Sequence, residues 1–147
     1  MKEQIITQCQ ETLAEKITAL EKRLADIAES RNNETKSSAG DKYETGRAMM
    51  QIEEDKAASQ VQQLRQTLAR LNQLDWKKEH QQVAPGSLIT TDRGLFFIGI
   101  GLGKISVNNQ RIFAISLRSP IGQALQGKKV GDQVIYNQVE YQLLGID

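Results

Sequence analysis

The stretch that decides the fold reads Ser119-Pro120-Ile121-Gly122-Gln123-Ala124-Leu125-Gln126-Gly127-Lys128-Lys129-Val130-Gly131-Asp132-Gln133-Val134. It begins as a polar turn and continues as one short helix with Pro120 at its first position. A basic turn bounded by Gly127 and Gly131 then leads into a strand. By itself the stretch predicts a small folded module, so its meaning depends on the segments around it.

Short segments rich in β-branched and aromatic residues surround this stretch, and Gly and Asn turns separate them. They are residues 87–90, 95–100, 104–107, 111–116, 133–136 and 139–144. Asn108-Asn109 is typical of a two-residue hairpin turn. We therefore expect an α+β domain over residues 87–147, an antiparallel β-sheet that carries one short helix.

The N-terminal part follows a helical period instead. A heptad-like apolar stripe runs through Ile6, Cys9, Leu13, Ile17, Leu20, Leu24 and Ile27, and a second runs through Ala57, Val61, Leu64, Leu68, Leu71 and Leu74. Residues 30–40 are polar and end in glycine, which predicts a loop, and the second helix is expected over about 42–76. The pattern predicts a long antiparallel coiled-coil hairpin over residues 1–78, with its tip at about 30–45 and a linker over 79–86.

Composition excludes several classes of protein. The 147 residues carry a formal net charge of +1, which lacks the strong basic excess of a protein that coats nucleic acid. The single cysteine, Cys9, rules out an intrachain disulfide and a CxxC zinc site, and we expect it to be a buried thiol. His80 has no second ligand nearby and is expected to be a solvated linker residue. Without an apolar leader or membrane-length run, we expect a cytoplasmic protein with no membrane partner.

The segment from Ile115 to Val134 resembles the "IS..SPlg.aLlGk..GD.V" segment of the Gre family of bacterial transcript-cleavage factors. Pro85-Gly86-Ser87 is similar to the family's domain start, and Tyr141–Ile146 is similar to its final strand. In architecture the resemblance covers nearly the whole chain. It implies a coiled-coil hairpin followed by an FKBP-like domain.

The resemblance also implies a function. The C-terminal domain would dock on RNA polymerase, and the hairpin would insert its tip into the secondary channel. Two tip acids would help the polymerase hold a second Mg²⁺ ion and cleave backtracked RNA. The chain would then be a transcription elongation factor and not an enzyme, because the polymerase active site performs the chemistry. It would bind no cofactor alone, and its partners would be RNA polymerase and the nascent RNA.

The tip acids implied by the resemblance are Asp41 and Glu44, which keep the family's spacing of Asp and Glu. Residues three apart lie on the same side of a helix, and Mg²⁺ is typically held by one or two carboxylates with water and phosphate oxygens. Thr45-Gly46-Arg47 stands where the family has Asn-Ala-Glu-Tyr. The residues expected to meet polymerase or nucleic acid are Lys42, Arg47, Arg118, Ser119, Pro120, Lys128 and Lys129.

Three alternatives stay open at this point. Asp41 with Glu44 is also the pattern of a helix-capping box, without any metal role. The altered tip is compatible with a regulator that occupies the channel without stimulating cleavage. A coiled-coil adaptor unrelated to polymerase would pair its apolar stripes between chains, whereas the polar loop favours an intrachain hairpin and a monomer.

Overall fold

A computed structural model describes the backbone of residues 1–36 and 41–147 and the side chains of residues 1–33 and 44–147. The chain divides into two compact units. One consists of Thr12–Leu68 and is called the two-helix unit below. The other, the sheet unit, combines Met1–Glu11 with Ala69–Asp147. The fold is therefore α+β, with two N-terminal helices followed by a six-stranded sheet.

The two-helix unit is built from helix α1 (Lys2–Lys36) and helix α2 (Asp41–Asn72), which contribute their other ends to the sheet unit. Arg65 of α2 contacts Glu21 of α1, and Arg31 of α1 contacts Glu54 of α2. Residues farther along α1 thus meet residues earlier in α2, so the two helices lie side by side and antiparallel. The interior of this unit is narrow, and among its described side chains the buried apolar residues are Leu13, Ile27, Ala57 and Val61.

Two sequence-based boundaries are wrong. Residues 30–36 were expected to form a loop, but α1 continues to Lys36. This segment contains neither Gly nor Pro, and its Arg31 bonds across to α2, so a polar composition alone did not stop the helix. At the other end, α2 stops at Asn72, four residues before the expected end at Trp76. Residues 37–40 of the expected loop lie outside the described residues.

Six strands and one short helix form most of the sheet unit. They are β1 (Leu88–Thr91), β2 (Gly94–Ile98), β3 (Gly103–Val107), β4 (Gln110–Ile115), α3 (Pro120–Leu125), β5 (Gln133–Tyr136) and β6 (Val139–Ile146). The strand order is β3-β4-β2-β1-β6-β5. The expected strands are confirmed, with boundaries that differ by at most two residues at each end.

The prediction of a purely antiparallel sheet is wrong, because β2 pairs with β4 in parallel. After β2 the chain leaves the position next to β2 empty and forms β3 at the edge of the sheet. The β3–β4 hairpin then returns β4 into the gap, so that β4 runs in the same direction as β2. Strand periodicity cannot reveal this arrangement, since it fixes which faces are apolar but not which strands are neighbours.

Two tight turns close hairpins in the sheet unit. Asn108 and Asn109 have φ values of 52° and 62°, which confirms the predicted turn between β3 and β4. Asn137 and Gln138 adopt φ values of 55° and 64° between β5 and β6. Gln is rarely found with positive φ, so this second turn has a weaker signature in the sequence.

The sheet is covered on both faces. On one face α3 packs against a core formed by Val83, Ile89, Phe96, Ile98, Leu125, Val134 and Leu143. On the opposite face, strand alternation places Leu88, Phe97 and Ile112, all of which are buried. The beginning of α1 contacts the β3–β4 turn, and the segment that follows α2 contacts the chain just after β2. Asn108 donates a hydrogen bond to Gln4 of α1, and a Cβ atom added at Gly99 would lie 2.4 Å from Leu74.

The described helices include none that is long and apolar enough to cross a membrane. Cytoplasmic localisation and the monomeric state stay predictions.

Candidate functional site

The expected tip of the helical pair lies around the start of α2. The helix begins at Asp41, within one residue of the predicted start. Glu44 belongs to its first turn, and its side chain is exposed. The side chains of Asp41 and Lys42 lie outside the described residues. Of the two expected metal ligands, the described structure therefore includes one exposed carboxylate.

Arg47 follows Glu44 by one helical turn and is also exposed. Residues three apart on a helix are neighbours on its surface. The described structure thus brings one expected ligand and one expected nucleic-acid contact to the same side of α2. A cation next to a carboxylate opposes the binding of a metal cation at that carboxylate, because like charges repel.

An ion pair links α1 to α2 in the part of the two-helix unit that leads to the start of α2. The Arg31 guanidinium of α1 lies 2.5 Å from the Glu54 carboxylate of α2 and 3.3 Å from the Gln51 amide oxygen. Arg31 and Glu54 are each about three-quarters buried, with exposed side-chain fractions of 28%. Close to this pair on α2, Met49 and Ile52 are exposed apolar residues.

Among the described residues, no group of three or more His, Cys, Asp or Glu side chains is arranged to hold a metal ion. A single exposed carboxylate does not hold Mg²⁺ by itself, because the ion prefers six oxygen ligands and keeps several waters. Glu44 would therefore need oxygen ligands from other groups to hold Mg²⁺.

The second group of expected contact residues begins at the start of α3. Ser119 is the N-cap of this helix, and its hydroxyl accepts a hydrogen bond from the Gly122 amide at 3.1 Å. The same hydroxyl donates to the Ser116 carbonyl at 2.6 Å. Pro120 lies at the start of the helix, where its fixed φ is favourable. Ser119 and Pro120 therefore have structural roles, and of the two only Pro120 is exposed.

Gly122 explains why this turn is so restrictive. A Cβ atom added there would lie 2.0 Å from the Ser116 carbonyl oxygen and 2.9 Å from the Leu117 Cα atom. Both are backbone atoms, so they cannot move aside as a flexible side chain would. The glycine of the Ser-Pro-x-Gly sequence is thus required by the geometry of the turn.

The basic residues of this region contribute backbone hydrogen bonds to the turns, and some of them also have exposed side chains. Arg118 is exposed, and its backbone amide donates to the Ser116 hydroxyl. Lys128 accepts a hydrogen bond at its carbonyl from the Val83 amide, and the Lys129 amide donates to Asp132 at 2.8 Å. Their backbones hold the turn before β5, while the Lys129 side chain is exposed. The side chains of Arg118 and Lys129 are therefore the better candidates for contact with a partner.

Sequence reasoning missed Lys2 as a residue of interest. Its side chain is 8% exposed, and its ammonium donates to the Lys78 carbonyl at 3.1 Å and lies 4.0 Å from the Asp147 carboxylate. Burial lowers the pKa of Lys2 from its ordinary value, although Asp147, Glu79 and Asp75 oppose the shift. Lysines are rarely buried, and the pattern of the N-terminus contains no signal for this one.

Two expectations about isolated residues have different outcomes. Cys9 is buried, as predicted, and its burial raises the pKa of the thiol to about 11. His80 was expected to be a solvated linker residue, and this holds only in part. The residue is partly exposed, but its Nδ1 atom is buried with no hydrogen-bond partner among the described residues. The position of His80 in the expected linker did not predict its burial, because residues 79–86 belong to the sheet unit.

No protein-family model matches the chain, and no curated protein matches it.

Proposed function

We propose that the chain is an RNA polymerase-binding transcription elongation factor of Gre type. In this proposal α1 and α2 form a coiled-coil hairpin, and the sheet unit contains an FKBP-like domain that docks on the polymerase. The end of the hairpin enters the secondary channel and supports cleavage of backtracked RNA. The polymerase supplies the remaining metal ligands and performs the chemistry.

The observation that carries the proposal is the antiparallel pairing of α1 and α2 with Glu44 exposed in the first turn of α2. Thr12–Lys36 of α1 would extend for about 37 Å within the two-helix unit, at 1.5 Å per residue. Such a narrow pair can carry acidic side chains into a confined space. With Asp41, Glu44 would offer Mg²⁺ two carboxylates, and polymerase carboxylates and RNA phosphates would complete the site.

The decisive experiment measures RNA cleavage in stalled, backtracked elongation complexes with the cognate polymerase. The wild type is compared with an Asp41→Asn/Glu44→Gln variant, which removes the charges and keeps the side-chain sizes. Asp26→Asn/Glu29→Gln is the matched control, because it changes an Asp and a Glu with the same spacing at exposed positions of α1. We expect the wild type and the control to stimulate cleavage and the tip variant to bind polymerase without doing so.

Arg47 favours a second candidate function, a regulator that occupies the channel without stimulating cleavage. Its cation lies on the same side of α2 as Glu44 and would weaken metal binding there. In the same assay, wild-type protein that binds the elongation complex but leaves the RNA uncut would support this function. Absence of polymerase binding would contradict both candidates and leave the coiled-coil adaptor.

A further inference from the structure

One face of the sheet unit carries aromatic rings beside cations. Phe113 of β4 lies opposite Lys104 of β3, and Arg111 lies two residues before Phe113 on the same strand. Side chains two apart on a strand point to the same face, so these three residues share it. Phe96 of β2 pairs with Phe113 and also belongs to this face. We call Lys104, Arg111, Phe96, Phe113 and Tyr141 the ring face.

The three rings of the ring face are in contact. Phe96 and Phe113 stack with their centroids 5.4 Å apart, and Phe96 meets Tyr141 edge to face at 5.7 Å. Phe96 is buried at 4% exposure, whereas Phe113 and Tyr141 are half-buried. Phe96 thus supports two rings that keep part of their surface open to solvent.

The charges of this face have a single sign. By register and alternation, the charged strand residues on this side of the sheet are Lys104 and Arg111, while Glu140 of β6 points to the other side. The Lys104 ammonium lies 5.9 Å from the centroid of the Phe113 ring, and Arg111 is exposed. In the part of the chain that the structure describes, neither cation forms an ion pair with an acidic side chain.

At the β3–β4 end of this face, Lys104, Ser106 and Arg111 are exposed, and the main strand contact of α3 lies elsewhere. Helix α3 packs against β5, which is at the opposite edge of the sheet from β3. The cations are therefore located where the sheet surface is accessible, and the half-buried rings lie between them and the core beneath α3.

We propose that the ring face binds single-stranded nucleic acid. Bases stack on Phe113 and Tyr141, and Lys104 and Arg111 contact the phosphates beside them. Aromatic rings that are partly open to solvent and flanked by cations suit a single strand, because its unpaired bases are free to stack. An acidic protein segment would pair its carboxylates with the cations, but its acidic side chains would not stack on the rings. The inference does not depend on the proposed polymerase role.

The test measures binding of fluorescent oligonucleotides of about 12 nucleotides by anisotropy, as a function of salt concentration. Single-stranded RNA and DNA of the same sequence are compared with a duplex of the same length. We expect both single strands to bind more tightly than the duplex. Preference for RNA over DNA would show that the 2′-hydroxyl is read as well.

Two sets of variants separate the parts of the proposal. Lys104→Gln/Arg111→Gln should lower the affinity at least tenfold at low salt and reduce the salt slope by about 1.4, or about 0.7 per lost phosphate contact. Phe113→Leu or Tyr141→Leu should lower the affinity about tenfold with little change in slope. Phe113→Tyr keeps the ring and should retain binding.

The control variant Lys22→Gln/Arg23→Gln removes one lysine and one arginine charge at exposed positions of α1, away from the strands. It should weaken binding much less than Lys104→Gln/Arg111→Gln does. Thermal unfolding by circular dichroism confirms that each variant is folded.

Three outcomes would overturn the proposal. The first is wild-type protein that binds neither single strand at low salt. The second is an equal loss of affinity in the control and the ring-face cation variant. The third is binding that survives Phe113→Leu and Tyr141→Leu and is displaced by polyglutamate, which would indicate an acidic peptide site.

Discussion

The two units of the chain bury their apolar residues in different ways. The sheet unit encloses large side chains on both sides of a sheet, such as Phe97, Ile98 and Ile112, each with 0% exposure. The two-helix unit has one narrow seam, in which Leu20, Leu24 and Leu64 of the predicted stripes are only half-buried. Since hydrophobic stabilisation grows with the apolar area removed from water, we infer that the sheet unit contributes most of the stability.

The comparison also separates the residues that build the fold from those available for binding. In the sheet unit the residues from Ser116 to Gly122 are largely engaged in their own turn. In the two-helix unit Glu44 and Arg47, near the start of α2, are exposed. We therefore expect substitutions in the turn to affect folding first, and substitution of Glu44 to cost little stability.

The largest expected effect tests this difference in burial. Phe97→Ala should lower the free energy of unfolding by about 4 kcal/mol, because it leaves a large cavity in a closed core. Leu64→Ala in the two-helix unit should cost about 1 kcal/mol, since its half-exposed site remains in contact with water. Urea unfolding followed by circular dichroism measures both. Equal losses would contradict the proposed contrast.

Gly122→Ala should be the next most damaging change, at about 3 kcal/mol, because its Cβ atom would overlap backbone atoms of Ser116 and Leu117. Gly101→Ala is the matched control. Its φ is not positive, and the nearest atom to its Cβ would be 4.0 Å away. Urea unfolding of the two variants should differ by more than 2 kcal/mol, as an order of magnitude. If Gly122→Ala is as stable as Gly101→Ala, the motif is not explained by the turn.

Cys9 predicts a pH dependence of the sheet unit. Burial raises the pKa of its thiol from 9.0 to about 11, so the folded protein binds more protons than the unfolded protein between these values. The stability from this group is complete below pH 9 and falls as the pH rises toward 11. By pH 11 the loss should be about 2 kcal/mol. The measurement is the urea midpoint from pH 7 to pH 11.

Lys2 contributes the opposite slope, because its pKa is lowered from 10.5 in the folded protein. Stability from Lys2 therefore rises as the pH approaches its ordinary value. A Cys9→Ala variant removes the thiol and retains Lys2, so its stability should decline less with pH than that of the wild type. Parallel curves for the two proteins would contradict the prediction.

The sequence predicts the helices and strands of this fold better than it predicts which of them lie side by side. Asn108-Asn109 identifies a hairpin because both residues tolerate positive φ, and Ser119-Pro120 identifies the start of α3 through its cap and first turn. The parallel pairing of β2 with β4 depends on the route of the whole chain and leaves no local pattern. The burial of Lys2 likewise depends on the backbone carbonyl of Lys78, far along the sequence.

The candidate site is predictable only in part. The spacing of Asp41 and Glu44 is a local feature, and Glu44 is exposed as expected. The ring face, in contrast, collects residues from β2, β3, β4 and β6, which only the strand order brings together. A search for continuous motifs therefore finds the tip acids and misses the ring face.

The smallest expected effect distinguishes two ion pairs in the two-helix unit. A double-mutant cycle of Arg31→Gln and Glu54→Gln should give a coupling energy of about 1 kcal/mol, because both side chains are largely withdrawn from water. The same cycle on Glu21 and Arg65, whose side chains are 46% and 63% exposed, should give about 0.3 kcal/mol.

Amide hydrogen exchange is the second measurement. The Arg31→Gln and Glu54→Gln variants should show faster opening of the neighbouring α1 and α2 amides, with the sheet amides unchanged. Coupling energies in the reverse order would mean that burial does not set the strength of these pairs. The inferred fastening of the segment leading to Glu44 would then be wrong.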